Sequence, residues 1–241
     1  MFDHLPGFFV TVEGLDGSGL TTQADMLRSA LETHDQEVFL TKEPSEGPAG
    51  AMIRLGLAHR LQSTVGKKLG PLDDATLALL FAADRMDHLY NEIVPKLPSG
   101  VTVICDRYYL SSLAYQSLTV DIDWLRQLNA RARRPDLTIF LSVPPEICER
   151  RMKKQRWHVE LYEETDILQK VRDNYERAIR LLQQEGENIA VVDGNAPARE
   201  VHQAILKIVR RSNKARIPAE SNTANGTLWH ENERGTKALT G

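Results

Sequence analysis

FFVTVEGLDGSGLTTQ, residues 8–23, decides how this chain is read. Phe8 to Val12 is apolar and rich in residues that suit a buried strand. Gly14, Gly17 and Gly19 follow, with Leu15, Asp16 and Ser18 among them, and make a tight turn poor in bulky side chains. Thr21 and Thr22 open a helix whose Leu20, Ala24, Leu27 and Leu31 share one face. Strand, glycine turn and helix N-terminus together cradle phosphate, because backbone N–H groups and the helix dipole converge on one anion. The usual motif is G-x-x-x-x-G-K-[ST]. Gly14–Thr21 fits it except at Leu20, which stands where the lysine belongs.

Working outward, apolar runs of strand length recur at 8–12, 38–41, 101–105, 137–143 and 188–192. Segments of helical period lie between and after them, at 22–33, 73–94, 123–133, 145–153, 166–184 and 198–210. In the fifth, Ile167, Val171, Ala178 and Leu182 make an apolar stripe with charge opposite. This alternation predicts an α/β fold, a five-stranded parallel sheet with helices on both faces. In such sheets ligands bind where the strands end. Residues 212–241 are polar, glycine-containing and aperiodic. They are expected to form a disordered tail beyond a folded unit at 1–211.

Composition narrows the functions available. The 241 residues can bury one large core or two small ones. A net charge of −3 gives no argument for nucleic acid or an anionic membrane as partner. The basic cluster Lys207 to Arg216 straddles a helix end, where cations satisfy the dipole. No apolar run approaches the roughly 20 residues of a membrane span. The opening MFDHLPG lacks a basic segment, so no signal peptide is expected. Cys105 and Cys148 are too few for a disulfide framework, and a cytoplasmic protein is expected. No Cys/His cluster has metal-ligand spacing.

Four further stretches carry chemistry. Asp106-Arg107-Tyr108 follows the third apolar run; beside a phosphate loop, Asp106 could hold Mg²⁺ and Arg107 could grip a phosphate bidentately. The plainer alternative makes Asp106 a helix cap and Arg107 half of a surface ion pair. In LLFAADR, Phe81 and Arg85 are four apart and share a helix face, one able to stack on a planar base and the other to hydrogen-bond its edge. Alternatively, Phe81 is core and Arg85 pairs with Asp84 or Asp87. The loop TKEPSEGP, residues 41–48, brings a cation and an acid to the ligand edge, or is only a turn. The charged stretch 150–164, RRMKKQRWHVELYEE, could fold over a nucleotide, or be a solvated helix surface.

These pieces, in this order, resemble the thymidylate kinase family of P-loop nucleoside-monophosphate kinases. The resemblance spans 8–210 and rests on EGLDGSGxTTQ, LLFAADRxxH ending at His88, DRYYLSSLAYQ, RPDLT at Arg134–Thr138 and VVDGN at Val191–Asn195. It implies a P-loop kinase fold with a small lid at about 150–164, a homodimer, and ATP with Mg²⁺ converting dTMP to dTDP. By the same resemblance, Gly14–Thr22 would hold the ATP phosphates, Thr21 and Asp106 the metal, and Asn195 and Ala196 the adenine. Asp16, Lys42, Glu43, Phe81, Arg85, Arg107, Ser111, Tyr115 and Gln116 would surround dTMP. Arg107, Asp16 and a lid arginine, Arg156, would serve catalysis.

Three residues depart from the family pattern: Leu20 for lysine, Ser142 for a common acid, and Lys42 for a common arginine. One lost phosphate-directed donor costs on the order of 10²- to 10³-fold in rate. Lys42, Arg150, Arg151 and Arg156 are the candidate replacements. The alternatives are a catalytically weak nucleotide-binding protein and a kinase for another nucleoside monophosphate.

Overall fold

The computed structural model of the protein describes residues 5–34, 36–65, 68–155 and 165–213. Among these residues the strands are Phe8–Gly14 (β1), Val38–Lys42 (β2), Ser63–Val65 (β3), Lys68–Gly70 (β4), Thr102–Asp106 (β5), Leu137–Ser142 (β6) and Ile189–Asp193 (β7). The helices are Leu20–Glu32 (α1), Pro48–Leu57 (α2), Asp74–His88 (α3), Tyr109–Tyr115 (α4), Ile122–Asn129 (α5), Pro145–Gln155 (α6), Thr165–Gln184 (α7) and Ala198–Ser212 (α8). Five strands form one parallel sheet in the order β2-β5-β1-β6-β7, and β3 and β4 make a separate antiparallel hairpin.

β1 is the central strand and is buried at every position, as its mostly apolar sequence suits a strand covered on both faces. Its side chains alternate. Phe8, Val10 and Val12 pack with Ala24, Leu27 and Leu31 of α1 and with Val201, Ile205 and Val209 of α8. Phe9 enters the opposite core, with residues of α3, α4, α5, α6 and α7. Burying one such aliphatic side chain is worth roughly 1.5–3 kcal/mol. The period of two puts Glu13 on the Phe9 face, under α4 and α7, which explains a carboxylate inside an otherwise apolar strand. In register, Val12 and Lys42 both pair with Asp106, and Gly14 pairs with Leu141. Gly14, Lys42 and Asp106 therefore end at one sheet edge, where the first loop begins.

The sheet and its helical layers agree with the sequence expectation; several boundaries differ. α2 escapes the periodicity reading because Pro48, Gly50 and Gly56 dilute its pattern. Gly50 is needed: a Cβ there would lie 2.0 Å from the Ser45 carbonyl oxygen. β3 and β4 have three residues each, too few for a period. α3 was expected to run through Val94 but passes at His88 into a wider π-type turn, Leu89–Ile93, with Val94 N–H bonded to Leu89 O. α5 starts at Ile122 because the Asp121 carboxylate accepts from Trp124 N–H, and it ends at Asn129 rather than Arg133. α8 extends to Ser212, and Asn213 behind it is buried, so folded structure continues past the expected boundary at 211. Residues 156–164 of the expected lid and 214–241 of the expected tail lie outside the described residues. No described helix is long and apolar enough to cross a membrane. Cys105 and Cys148 are free and buried.

Candidate active site

The phosphate loop is built as its glycines predict. Gly14, Gly17 and Gly19 all have positive φ, and Gly19 caps α1 with no side chain bonding the first helical N–H groups. Those amides stay available to an anion. Gly17 is required twice over: its φ is +78°, and an added Cβ would lie 2.6 Å from the Cys148 carbonyl oxygen of α6. Residues Leu15 through Gln23 line a cavity of about 500 Å³, closed by Asp106, Arg107, Arg151, Gly194, Ala196, Ala198 and Val201. Gln23 ties the loop to the other wall by donating to Ala198 O at 2.9 Å. Leu20 is only 6 % exposed and packs in the core with Val12 and Ala24 while also edging the cavity.

Asp106 does not cap α4. The Thr21 hydroxyl donates to it at 2.7 Å, joining the end of β5 to the first turn of α1. Burial raises the Asp106 carboxyl above its ordinary value, against the pull of Arg107. Among the described residues no group of three His, Cys, Asp or Glu is arranged to hold a metal. Thr21 and Asp106 instead offer two hard oxygens at the loop's edge. That donor set fits Mg²⁺, which keeps waters and takes its other ligands from phosphate oxygens.

A second cavity, of about 190 Å³, lies beside the first. Its lining includes Asp16, Glu43, Phe81, Arg85, Arg107, Ser111, Tyr115 and Gln116, all expected from the sequence, together with Pro44, Leu57, Tyr108 and Ser112. Arg85 is 1 % exposed and donates to Glu43 Oε2 from Nε at 2.9 Å and from Nη2 at 2.7 Å. It also bonds Ser112 and Asn129. Its partner is therefore neither Asp84 nor Asp87. Asp84 accepts from Ser45 N–H and hydroxyl, fixing the loop after β2, and Asp87 accepts from Asn91. His88 backs the pair, 3.3 Å from Glu43 Oε1 and 2.7 Å from the Thr41 hydroxyl. Phe81 lies one helical turn before Arg85 on the same wall, as the spacing predicts.

Arg107 joins the two cavities, and Asp16 lines both with it. Arg107 has φ +71°, a left-handed conformation costly for a side-chain-bearing residue and a mark of a position held by its surroundings. Its Nη2 donates to Asp16 Oδ1 at 2.7 Å, and its Nη1 to Gly14 O at 3.0 Å and Ser111 Oγ at 3.2 Å. Tyr115 holds the other side of Asp16, donating to Oδ2 at 2.9 Å and accepting from Asp16 N–H at 3.1 Å. Beneath them, Glu13 accepts from Tyr108 N–H at 2.8 Å and from Ser111 at 2.5 Å. Burial pushes its carboxyl up to about 7, although Ser111, Arg107 and Tyr108 oppose the rise.

Three expected site residues fall outside the cavities. Lys42 faces a separate depression and pairs with Glu46 at 3.1 Å on the exposed rim, because β2 is the edge strand and its last side chain turns away from Phe81. Gly14 lies behind the loop, its carbonyl occupied by Arg107 and Tyr175. Asn195 turns back on β7, its N–H donating to Asp193, while its neighbour Ala196 does line the loop cavity. Arg156 lies outside the described residues. Of the residues missed in the second cavity, Tyr108 and Ser112 sat inside the quoted DRYYLSSLAYQ motif and Pro44 inside the quoted TKEPSEGP loop, while Leu57 came from a stretch with no motif.

A parallel sheet with β1 central, a glycine loop leading into α1 and an Asp–Thr contact at the loop's edge define a P-loop nucleotide-binding protein with a second pocket. The family model "Thymidylate kinase" matches residues 12–205. A probable thymidylate kinase from Pyrococcus horikoshii is 38 % identical over 206 residues, covering 85 % of this chain and 96 % of the relative. One from Thermococcus gammatolerans is 37 % identical over 211 residues, covering 85 % and 97 %. One from Pyrobaculum calidifontis is 38 % identical over 205 residues, covering 85 % and 96 %. The chain belongs to the thymidylate kinase family.

Proposed function

We propose that the protein transfers the γ-phosphoryl group of ATP to the phosphate of dTMP, giving dTDP and ADP. The observation that carries this reading is the shared wall: Asp16 and Arg107 line both the loop cavity and the Phe81–Arg85 cavity. An acceptor oxygen of dTMP forms the new bond to the γ-phosphorus as the bond to the ADP leaving oxygen breaks. That oxygen is already anionic, so positioning and charge neutralisation suffice and no protein base is needed. Arg107 orients the acceptor phosphate. Phe81 stacks on the pyrimidine while Arg85, held rigid by Glu43, offers a hydrogen bond to its edge.

The loop amides and the α1 N-terminus hold the donor phosphates, with Ala196 beside the adenine. Thr21 and Asp106 would hold Mg²⁺, which when bound neutralises charge on the donor phosphates. The stretch that follows α6, 156–164, serves as a lid that excludes water, with Arg156 as its catalytic cation. The folded unit functions as a homodimer in the cytoplasm, and 214–241 takes no part in catalysis.

The test is ADP release from MgATP with dTMP, dUMP, dCMP or AMP as acceptor. The expected result is turnover that depends on dTMP and falls at least tenfold with dCMP or AMP. Calorimetric binding of nucleotide without acceptor-dependent turnover would replace this reading with that of a nucleotide-binding protein. Light scattering tests the dimer.

A further inference from the structure

We infer that Arg151 of α6 replaces the missing phosphate-loop lysine, supplying to the donor's β- and γ-phosphates the charge that Leu20 cannot. This rests on the kinase reading above and names the device that makes the departure at Leu20 tolerable.

The argument begins with what Leu20 does. Its side chain is 6 % exposed and belongs to the core shared by β1, α1 and α8, so the position has been given to packing. The cavity still needs a cation, because a triphosphate brings several negative charges against amides that carry only partial ones. Of the candidates among the described residues, Lys42 lines a different depression, exposed and paired with Glu46. Arg150 is exposed on α6 and does not line the cavity.

Arg151 does line it. α6 is pressed against the loop at Gly17, where a Cβ would collide with Cys148 O at 2.6 Å and with Met152 Cγ at 2.9 Å. That contact fixes the helix, and with it a side chain one residue before Met152. The Arg151 guanidinium lines the cavity, 3.3 Å from Ser18 O and 3.4–3.5 Å from Gly194 O. Among the described residues it bonds only these carbonyls, by long hydrogen bonds, and no carboxylate pairs with it. It is a half-buried cation that no carboxylate among the described residues neutralises, tethered over an anion cradle. A guanidinium suits the task, since its planar fork can meet two phosphate oxygens at once. Gly17 completes the logic: with no side chain there, α6 packs directly on the loop and brings Arg151 to the cavity.

Two experiments test this. The first is calorimetric binding of AMP, ADP and the non-hydrolysable MgAMPPNP to the wild type and to Arg151→Met, which keeps the apolar stem and removes the charge. Loss of at least tenfold in affinity for MgAMPPNP, a smaller loss for ADP and no change for AMP is the expected pattern. An equal loss for AMP and MgAMPPNP would make Arg151 a contact to base or ribose and overturn the proposal, as would no loss at all. This arm needs no turnover, so it stands even if the acceptor assay contradicts the kinase reading.

The second is a double-mutant cycle on kcat/KM with Leu20→Lys and Arg151→Met. Arg151→Met should cost about 10²-fold or more. Adding Leu20→Lys should recover at least tenfold, and that gain should exceed the gain from Leu20→Lys in the Arg151 background by at least tenfold. Equal effects in both backgrounds would show two independent residues and refute the replacement. Thermal melts check folding of each variant; if the double variant does not fold, the binding experiment decides.

Discussion

The two cavities that meet at Arg107 are prepared in opposite ways. In the cavity proposed for the acceptor the polar groups already hold one another: Glu43 with Arg85, Asp16 with Arg107, and the His88 ring behind Glu43. In the cavity proposed for the donor the α1 N-terminus has no side-chain cap, and among the described residues Arg151 bonds only carbonyl oxygens. A site that must choose one planar base gains from side chains fixed before the ligand arrives. A site that takes a common, highly charged donor gains from positive potential left unspent until the phosphates come. The contrast gives each region its own vulnerability, which mutation can separate.

The largest effect is expected where the cavities join. Arg107→Met should lower kcat/KM for dTMP by about 10³-fold or more, and Arg107→Lys should recover only part of it, because an ammonium cannot reproduce the fork that meets Asp16 and phosphate together. A loss below tenfold would mean that the shared wall does not serve transfer. Next is the buried pair. Glu43→Ala leaves Arg85 without its counter-charge at 1 % exposure and should destabilise the fold by about 3–5 kcal/mol. Lys42→Ala breaks an exposed pair and should cost under about 1 kcal/mol. Urea denaturation of both variants breaks the comparison if the two losses are alike.

A smaller effect is expected at the base. Phe81→Ala should raise KM for dTMP by the equivalent of about 1–3 kcal/mol of stacking, with KM for ATP unchanged. A shift in both constants would mean that Phe81 supports the core instead. The smallest expected effect is a pH dependence. Glu13 has a folded-state value of about 7 against an ordinary 4.5, so between these pH values the native state binds more protons than the unfolded chain. Its contribution to stability therefore falls as pH rises through that window. Stability measured for wild type minus Glu13→Gln should decrease from pH 5 to pH 8, and parallel curves would contradict the burial argument.

The sheet was legible because each central strand announces itself as an apolar run and each run ends near a motif. Phe81 and Arg85 were legible as a pair because helical spacing alone puts them on one wall. Arg85's partner was not: Glu43 is 42 positions away, and only the β2 loop folded over α3 brings it near. That Lys42 stands outside the Phe81–Arg85 cavity was not legible, for the related reason that the side-chain direction at the end of an edge strand cannot be read from a loop's composition. α2 hid behind the glycines that its close packing demands. Arg151 stood among five basic residues in seven, and what separates it from its neighbours is the approach of α6 to Gly17, which is tertiary.

The most direct test of the central claim, that one continuous path joins the two cavities at Asp16 and Arg107, is the affinity of a bisubstrate compound. Adenosine and thymidine linked through their 5′ oxygens by a chain of five phosphates should bind at least tenfold more tightly than MgAMPPNP or dTMP and displace both. A compound that displaces only one of them, or binds no better than the stronger single nucleotide, would contradict it.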